Sequence, residues 1–163
     1  MHTPVVATAD ADARIMVLRS YDVATQSLRF HTDARAPKSR LIGDGAPVGV
    51  LFYDKEAKVQ IRCKGSGRIE QYGPTADAAW AESTRFARRC YLGAGPGSSS
   101  NAPTSGLPPV YEGVEPNDDD LLPARANFAV LLVTLRSVDW FHLAHTGHRR
   151  AIFVGGEGQW VAP

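Results

Sequence analysis

Apolar and β-branched residues fall, along the first two thirds of this chain, in short runs cut by turn formers, which is the spacing of strands. Pro4 to Thr8 and Arg14 to Tyr21 are linked by Ala-Asp-Ala-Asp-Ala. Gln26 to Thr32 follows a turn containing Asp22, and Pro47 to Tyr53 follows Gly43-Asp44-Gly45. Such short linkers predict antiparallel hairpins and a meander. Arg35 to Ile42 is too short for a parallel crossover but long enough for two helical turns. Lys58 to Gln71 reads as a long strand, and Gly65-Ser66-Gly67 in its middle predicts a bulge or bend of the kind that closes barrels. Thr75 to Tyr91 predicts one long helix, with Pro74 before it, Thr75 as cap and Asp77 in its first turn. From Gly93 to Pro123 the chain turns to Gly, Pro, Ser, Asn and Asp without periodicity, a loop of a size that is usually functional or disordered. Phe128 to Trp140 is apolar on both alternating faces, as a central strand would be, and a last hairpin runs from His148 through Val154 to Trp160. The expected architecture is mainly β, a small antiparallel barrel with two helices, in one domain over 1–163 with a flexible loop at 93–124.

Composition narrows the function classes. The 163 residues carry 18 Lys plus Arg against 17 Asp plus Glu, and 44% are hydrophobic. A net charge of +1 argues against a protein that grips long nucleic acids by neutralising phosphates, while leaving room for a small anionic ligand. The longest strongly apolar stretch, Ala129 to Leu135, falls far short of the roughly 20 residues of a membrane span. Met1-His2-Thr3 shows no leader pattern. Cys63 and Cys90 lack metal or redox spacing and read as reduced thiols, so a soluble cytoplasmic protein is expected.

Most of the tempting constellations have plainer readings. His142, His145 and His148 sit three apart, but that spacing in a hairpin does not converge imidazoles on a metal. Gly93-Ala94-Gly95-Pro96-Gly97 resembles a phosphate loop without the lysine or the helix that such a loop uses. Ser98, Ser99 and Ser100 lack a strand-to-helix elbow and a base. Arg88-Arg89 and Arg149-Arg150 read as solvated faces. More pointed is the last hairpin: a turn centred near His145 would oppose Trp140 to Arg150 and put a ring and a guanidinium on one wall. Gln60 and Arg62 share one face of their strand, leaving Val59, Ile61 and Cys63 for the core. With Lys38, Arg14 and Arg19, the sheet carries cations and amides suited to an aromatic, phosphorylated ligand.

At these residues the chain resembles the pyridoxamine 5′-phosphate oxidase-like family of FMN-binding split barrels, over most of its length from Val5 to Pro163. Arg14-Ile15-Met16-Val17-Leu18-Arg19 is similar to the family's R-x-V-L-L-K strand, and Phe30-His31-Thr32-Asp33 to its F-Y-T-N segment. Ala36-Pro37-Lys38 stands where the family has S-R-K. Gln60 takes the place of a flavin-contacting glutamine. Trp140 and Gly147-His148-Arg149-Arg150 resemble the family's ending R-L-H-D-R, and Val161-Ala162-Pro163 its L-A-P. The resemblance implies a Greek-key split β-barrel that binds FMN as a homodimer. It assigns Arg14 and Lys38 to the FMN phosphate; Ile15, Met16, Val17, Arg19, His31, Thr32, Pro37 and Gln60 to the cofactor site; and Trp140 and Arg150 to the flavin of the partner subunit. Strict alternation puts Arg14 and Arg19 on opposite faces of one strand, so either the strand bulges or Arg19 plays a different part.

Departures from the pattern fall on the substrate side. Thr146 replaces the substrate-positioning arginine, while His148 is kept. The family's spacing places Trp80, Thr84 and Arg88 where Tyr, Arg and Ser hold the substrate phosphate, with Arg85 or Arg88 as candidate substitutes. Pro37 replaces a flavin-contacting arginine. The implied activity is an FMN-dependent oxidoreductase with an altered substrate site and no nucleic acid or membrane partner. The alternatives are a flavin-binding module for storage or sensing, without turnover, and a cofactor-free interaction domain.

Overall fold

A computed structural model describes all residues, 1–163. Two of the hairpins expected from the short linkers are present, β1 (Val5–Thr8) with β2 (Ala13–Ile15) and β3 (Leu18–Asp22) with β4 (Ser27–Asp33), but they do not pair into a meander; the short helix α1 (Pro37–Ile42) and the long strands β5 (Ala46–Asp54) and β6 (Val59–Glu70) follow. Alternation along β4 and β5 buries Leu28, Phe30, Val48, Val50 and Phe52 and turns their neighbours outward. After the helices α2 (Pro74–Glu82) and α3 (Arg85–Arg88) and the long connection come β7 (Phe128–His142), β8 (Arg149–Val154) and β9 (Glu157–Val161). All pairings are antiparallel, in the order β2-β1-β5-β6-β7-β4-β3. The first half of β7 pairs with β4 and its second half with β8, so two strands follow each other along one edge of β7 and the sheet splits there.

Apolar residues on both faces of β7 have two partners. Leu131 and Val133 join Val6, Phe30 and Val50 inside the curled sheet. Phe128 and Val130 pack outward against Ala76 and Ala79 of α2, with Trp80 and Tyr91 alongside. Gly65 sits at a register break between β6 and β7, where a Cβ would strike the Thr134 carbonyl oxygen. The bend predicted from Gly65-Ser66-Gly67 therefore has a steric cause.

Four local expectations are corrected. Arg14 to Tyr21 is two strands rather than one: β2 pairs with β1, β3 pairs with β4 at the other end of the sheet order, and Met16-Val17 crosses between them. Amide-to-carbonyl bonds from Met16 to Pro4 (3.0 Å) and from Leu18 to His2 (2.8 Å) draw the two ends together. The predicted helix Thr75 to Tyr91 breaks at Ser83 and Thr84, whose backbones are extended. The Ser83 hydroxyl donates back to the Ala79 carbonyl at 2.8 Å, and the Thr84 hydroxyl accepts from the Ala87 amide and caps α3, so both side chains compete with helix continuation. Nor does Thr75 cap α2. The Glu70 carboxylate, at the end of β6, accepts from the Thr75 and Ala76 amides at 2.9 and 3.0 Å.

The fourth correction is the register of the last hairpin. Arg150 opposes Phe141 and Trp140 opposes Ala151, so Trp140 and Arg150 stand on opposite faces. The β7–β8 loop holds six residues, 143–148, and is centred between His145 and Thr146. The Ala144 amide donates to His148 Nδ1 (3.2 Å) and the Gly147 amide to the Ala144 carbonyl (3.1 Å). Gly147, at φ 125°, supplies the conformation that makes the loop even-numbered.

The long 93–124 connection is tied at several points. Arg35 Nη1 donates to the Gly93 carbonyl (3.0 Å), the Ala94 amide to Gly106 (2.8 Å), and Arg89 Nη1 to the Tyr111 and Val114 carbonyls (2.8 and 3.2 Å). Leu121 is buried in the body of the protein.

Candidate functional site

Where β2 hands over to β3, the crossing segment faces the end of β4 and the start of α1 across a cleft of ≈ 390 Å³. Arg14, Ile15, Met16, Val17, Arg19, His31, Thr32 and Lys38 all line it. The strand break resolves the difficulty over Arg14 and Arg19, because two separate strands can turn both guanidinium groups to the same cleft. Pro37 opens α1 and sets Lys38 at its second position without itself lining the cleft.

Three cations in one cleft need counter-charge. Arg14 has some: it pairs with the Asp12 carboxylate and donates to the Val6 carbonyl and the Thr8 hydroxyl at 3.3 and 3.1 Å. Arg19 and Lys38 make no hydrogen bond or ion pair. Burial lowers the Lys38 pKa from its ordinary value, and the Arg14 charge lowers it further, so an anion placed between them would relieve both effects. Asp33 also lines the cleft, but it is bound to Arg35 through Nε (3.0 Å) and Nη2 (2.7 Å).

Polar atoms in the cleft are left over as well. Thr32 Oγ1 and His31 Nε2 are buried without a hydrogen-bond partner, an arrangement that is costly unless a ligand supplies one. Burial, reinforced by the positive charges of Arg19 and Arg29, pushes the His31 pKa down to about 4. His31 is thus a neutral imidazole at pH 7, packed edge-on against Phe128 at 5.1 Å. Cys90, Tyr91 and Pro96 form the remaining wall. Sequence reasoning missed these three, since their proximity depends on the broken helix and on the Arg35 tie to the loop.

The other predicted residues lie elsewhere in the chain. Gln60, Arg62, Phe141 and Arg150 share one face of β6–β7–β8, by register. Asp139 on that face receives Arg150 Nε and Nη2 at 3.1 and 2.9 Å and Arg62 Nη2 at 2.5 Å. Hydrogen bonding from Arg150, together with the charges of Arg62 and Arg150, holds the Asp139 carboxyl below its ordinary pKa. Trp140 occupies the opposite face, stacked on His142 at 6.0 Å and edge-on to Trp160 at 6.1 Å. Neither group lines the cleft.

On the substrate side, Trp80 is part of the Phe128–Tyr91 aromatic cluster. Thr84 is a helix cap, and Arg88 donates to the Trp80 and Ala81 carbonyls, both at 2.9 Å. Arg85 lies 3.5 Å from Glu115. Thr146 is exposed in the β7–β8 loop, where His148 packs against Phe141 at 5.5 Å.

Residues 3–71 match the family model described as "Pyridoxamine 5'-phosphate oxidase, FMN-binding domain", the stretch that carries Arg14, Arg19, His31, Thr32, Lys38 and Gln60. The chain has the pyridoxamine 5′-phosphate oxidase-like split-barrel fold. It superposes on a pyridoxamine 5′-phosphate oxidase-related, FMN-binding protein from Nostoc punctiforme with TM-score 0.79 and 22% identity, covering 99% of this chain and 88% of that one. PhzG from Burkholderia lata, in complex with tetrahydrophenazine-1-carboxylic acid, aligns with TM-score 0.69 and 15% identity over 99% and 82% of the two chains. A protein related to general stress protein 26, from Clostridium acetobutylicum, aligns with TM-score 0.52 and 8% identity over 99% and 86%. No curated protein sequence matches it. No helix is long and apolar enough to cross a membrane.

Proposed function

We propose that this split barrel binds FMN in the cleft between the β2–β3 crossing and α1, and that it works as an oxidoreductase on a small substrate other than a pyridoxine phosphate. The observation that carries the reading is the pairing of uncompensated cations, Lys38 and Arg19, with unpartnered buried polar atoms, Thr32 Oγ1 and His31 Nε2, in one cleft. A terminal phosphate suits Lys38 and Arg14, and the Thr32 hydroxyl and neutral His31 imidazole suit the polar rim of a flavin. Bound FMN would accept a hydride; Arg14, Arg19 and Lys38 would hold it and favour negative charge on it.

A second copy of the chain completes the site in this reading. Gln60 and Arg150 lie on a face that also exposes Leu51 and Tyr53, and Ile15 at the cleft rim is 70% exposed. A two-fold contact through this face would cover those side chains and bring Gln60 and Arg150 to the partner's cleft. Trp140, on the opposite face of the sheet beside Trp160, lies outside this contact. The free thiols of Cys63 and Cys90 suit the reducing cytoplasm.

Titrating apoprotein with FMN, followed by flavin fluorescence, tests the reading. FMN should bind more tightly than FAD, and Lys38→Ala should weaken FMN by about tenfold to a hundredfold, the loss of one charge-assisted phosphate contact. Unchanged FMN affinity in Lys38→Ala would remove the cleft from the account.

A further inference from the structure

Toward the opposite end of β4, a second cavity of ≈ 470 Å³ shares none of its lining residues with the cleft. Strand register builds it. Ser20, Arg29, Leu132 and Arg68 form one row across β3, β4, β7 and β6, and Ser27 and Thr134 lie in the next row. Arg29 and Arg68 therefore stand two strand spacings apart, about 9 to 10 Å between backbones, with Leu132 between them. Ser20, Ser27, Thr134 and Thr75 add hydroxyls around this pair.

The guanidinium groups are only lightly engaged. Arg29 Nε is buried without a partner, and the side chain makes a single bond, from Nη2 to Glu82 Oε2 at 3.1 Å. Glu82 is 66% exposed, at the end of α2, and so is free to swing away. Arg68 makes one bond of 3.2 Å to Glu70, whose other oxygen is already taken by the start of α2. Glu82 thus presents to Arg29 the carboxylate that a ligand would offer. Asp22 also lines the cavity, but one of its carboxylate oxygens accepts from the Thr25 amide.

We propose that this cavity is a binding site for a small oxyanion, a phosphate or carboxylate group held between Arg29 and Arg68 above Leu132, with Glu82 as the group it displaces. Arginine forks suit both oxyanions, and the surrounding hydroxyls can donate to the same ligand. The inference does not rest on the flavin reading, because a different set of residues carries it.

Calorimetric titration of the full chain with inorganic phosphate and, separately, with succinate tests it, using Lys38→Ala protein so that the cleft does not compete. Saturable binding is expected. Arg29→Gln or Arg68→Gln added to Lys38→Ala should weaken it about tenfold or more, and Glu82→Gln should tighten it about threefold or more by removing the competing carboxylate. A response to phosphate alone identifies a phosphate site; a response to succinate alone identifies a carboxylate site. Should either arginine variant melt early, the gain in Glu82→Gln still decides. Absence of saturable binding to both anions, or affinities that none of the three substitutions moves beyond about twofold, would overturn the proposal.

Discussion

The two ends of the barrel that carry the predicted cofactor residues handle charge in opposite ways. At the β2–β3 crossing, Lys38 and Arg19 have no counter-ion, and Thr32 and His31 keep buried polar atoms unpartnered. At the β6–β7–β8 end, Arg62 and Arg150 converge on Asp139, whose carboxylate is the counter-ion of both. Equal numbers of arginines on two strand ends thus mean different things. The first end leaves cations and polar atoms uncompensated, and the second holds Arg150 against a carboxylate in a fixed orientation.

The largest expected effect concerns the reaction. With Thr146 standing where the family's substrate-facing arginine belongs and Trp80 and Thr84 in the place of the phosphate-holding pair, oxidation of pyridoxamine 5′-phosphate should be about three orders of magnitude less efficient than an ordinary flavin oxidase reaction, since two or three contacts to the substrate are missing. Oxygen uptake at saturating FMN measures this, and turnover of a few per second or more would show that other residues supply the anchors. Next is Asp139→Ala, which makes the second end resemble the first by leaving two arginines without a counter-ion. A stability loss of about 2 kcal/mol is expected at pH 7, read by urea unfolding. Because the Asp139 pKa is depressed in the fold, that difference between wild type and variant should fade as the pH falls below the ordinary carboxylate range.

The smallest effect is a pH slope at the first end. His31 binds its proton less readily folded than unfolded, with a pKa of about 4 against 6.5. Its contribution is therefore complete above about 6.5 and lost as the pH falls toward 4, when the unfolded chain takes up the proton first. Allowing for its partial exposure, about 1 kcal/mol is at stake. His31→Phe should flatten the unfolding free energy across that interval relative to wild type, and parallel curves would contradict the assignment.

Much of this was legible in the sequence, for physical reasons that also mark where legibility ends. Alternating burial in β4 and β5 is local, so pattern found it, and Gly65-Ser66-Gly67 marked the bend by composition although the clash that requires Gly65 comes from Thr134 on β7. Capping of α2 by Glu70 joins residues five and six apart across a turn that no helix rule covers. The β7–β8 register depends on whether the loop is odd or even, and a one-residue difference separates the expected Trp140 on the same wall as Arg150 from the observed Trp140 on the opposite face. Asp139 was invisible for the same reason: only the correct register aligns it with Arg62 and Arg150. The cleft was found through motif order, but its third wall of Cys90, Tyr91 and Pro96 needed the helix break at Ser83-Thr84.

The central claim is that the two unlike ends are halves of one site, joined when a second copy docks. Mixing two defective variants tests this most directly. Lys38→Ala spoils the receiving half and Arg150→Ala the presented half, so each alone should bind FMN weakly. Mixed in equal amounts and allowed to exchange subunits, half of the dimers would be mixed and each of those would carry one intact site, restoring about a quarter of full FMN capacity by two-fold statistics. Light scattering should show the flavin eluting with a dimer. If mixing restores no capacity while the variants demonstrably exchange subunits, or if FMN elutes with a monomer, the two ends do not form a shared site.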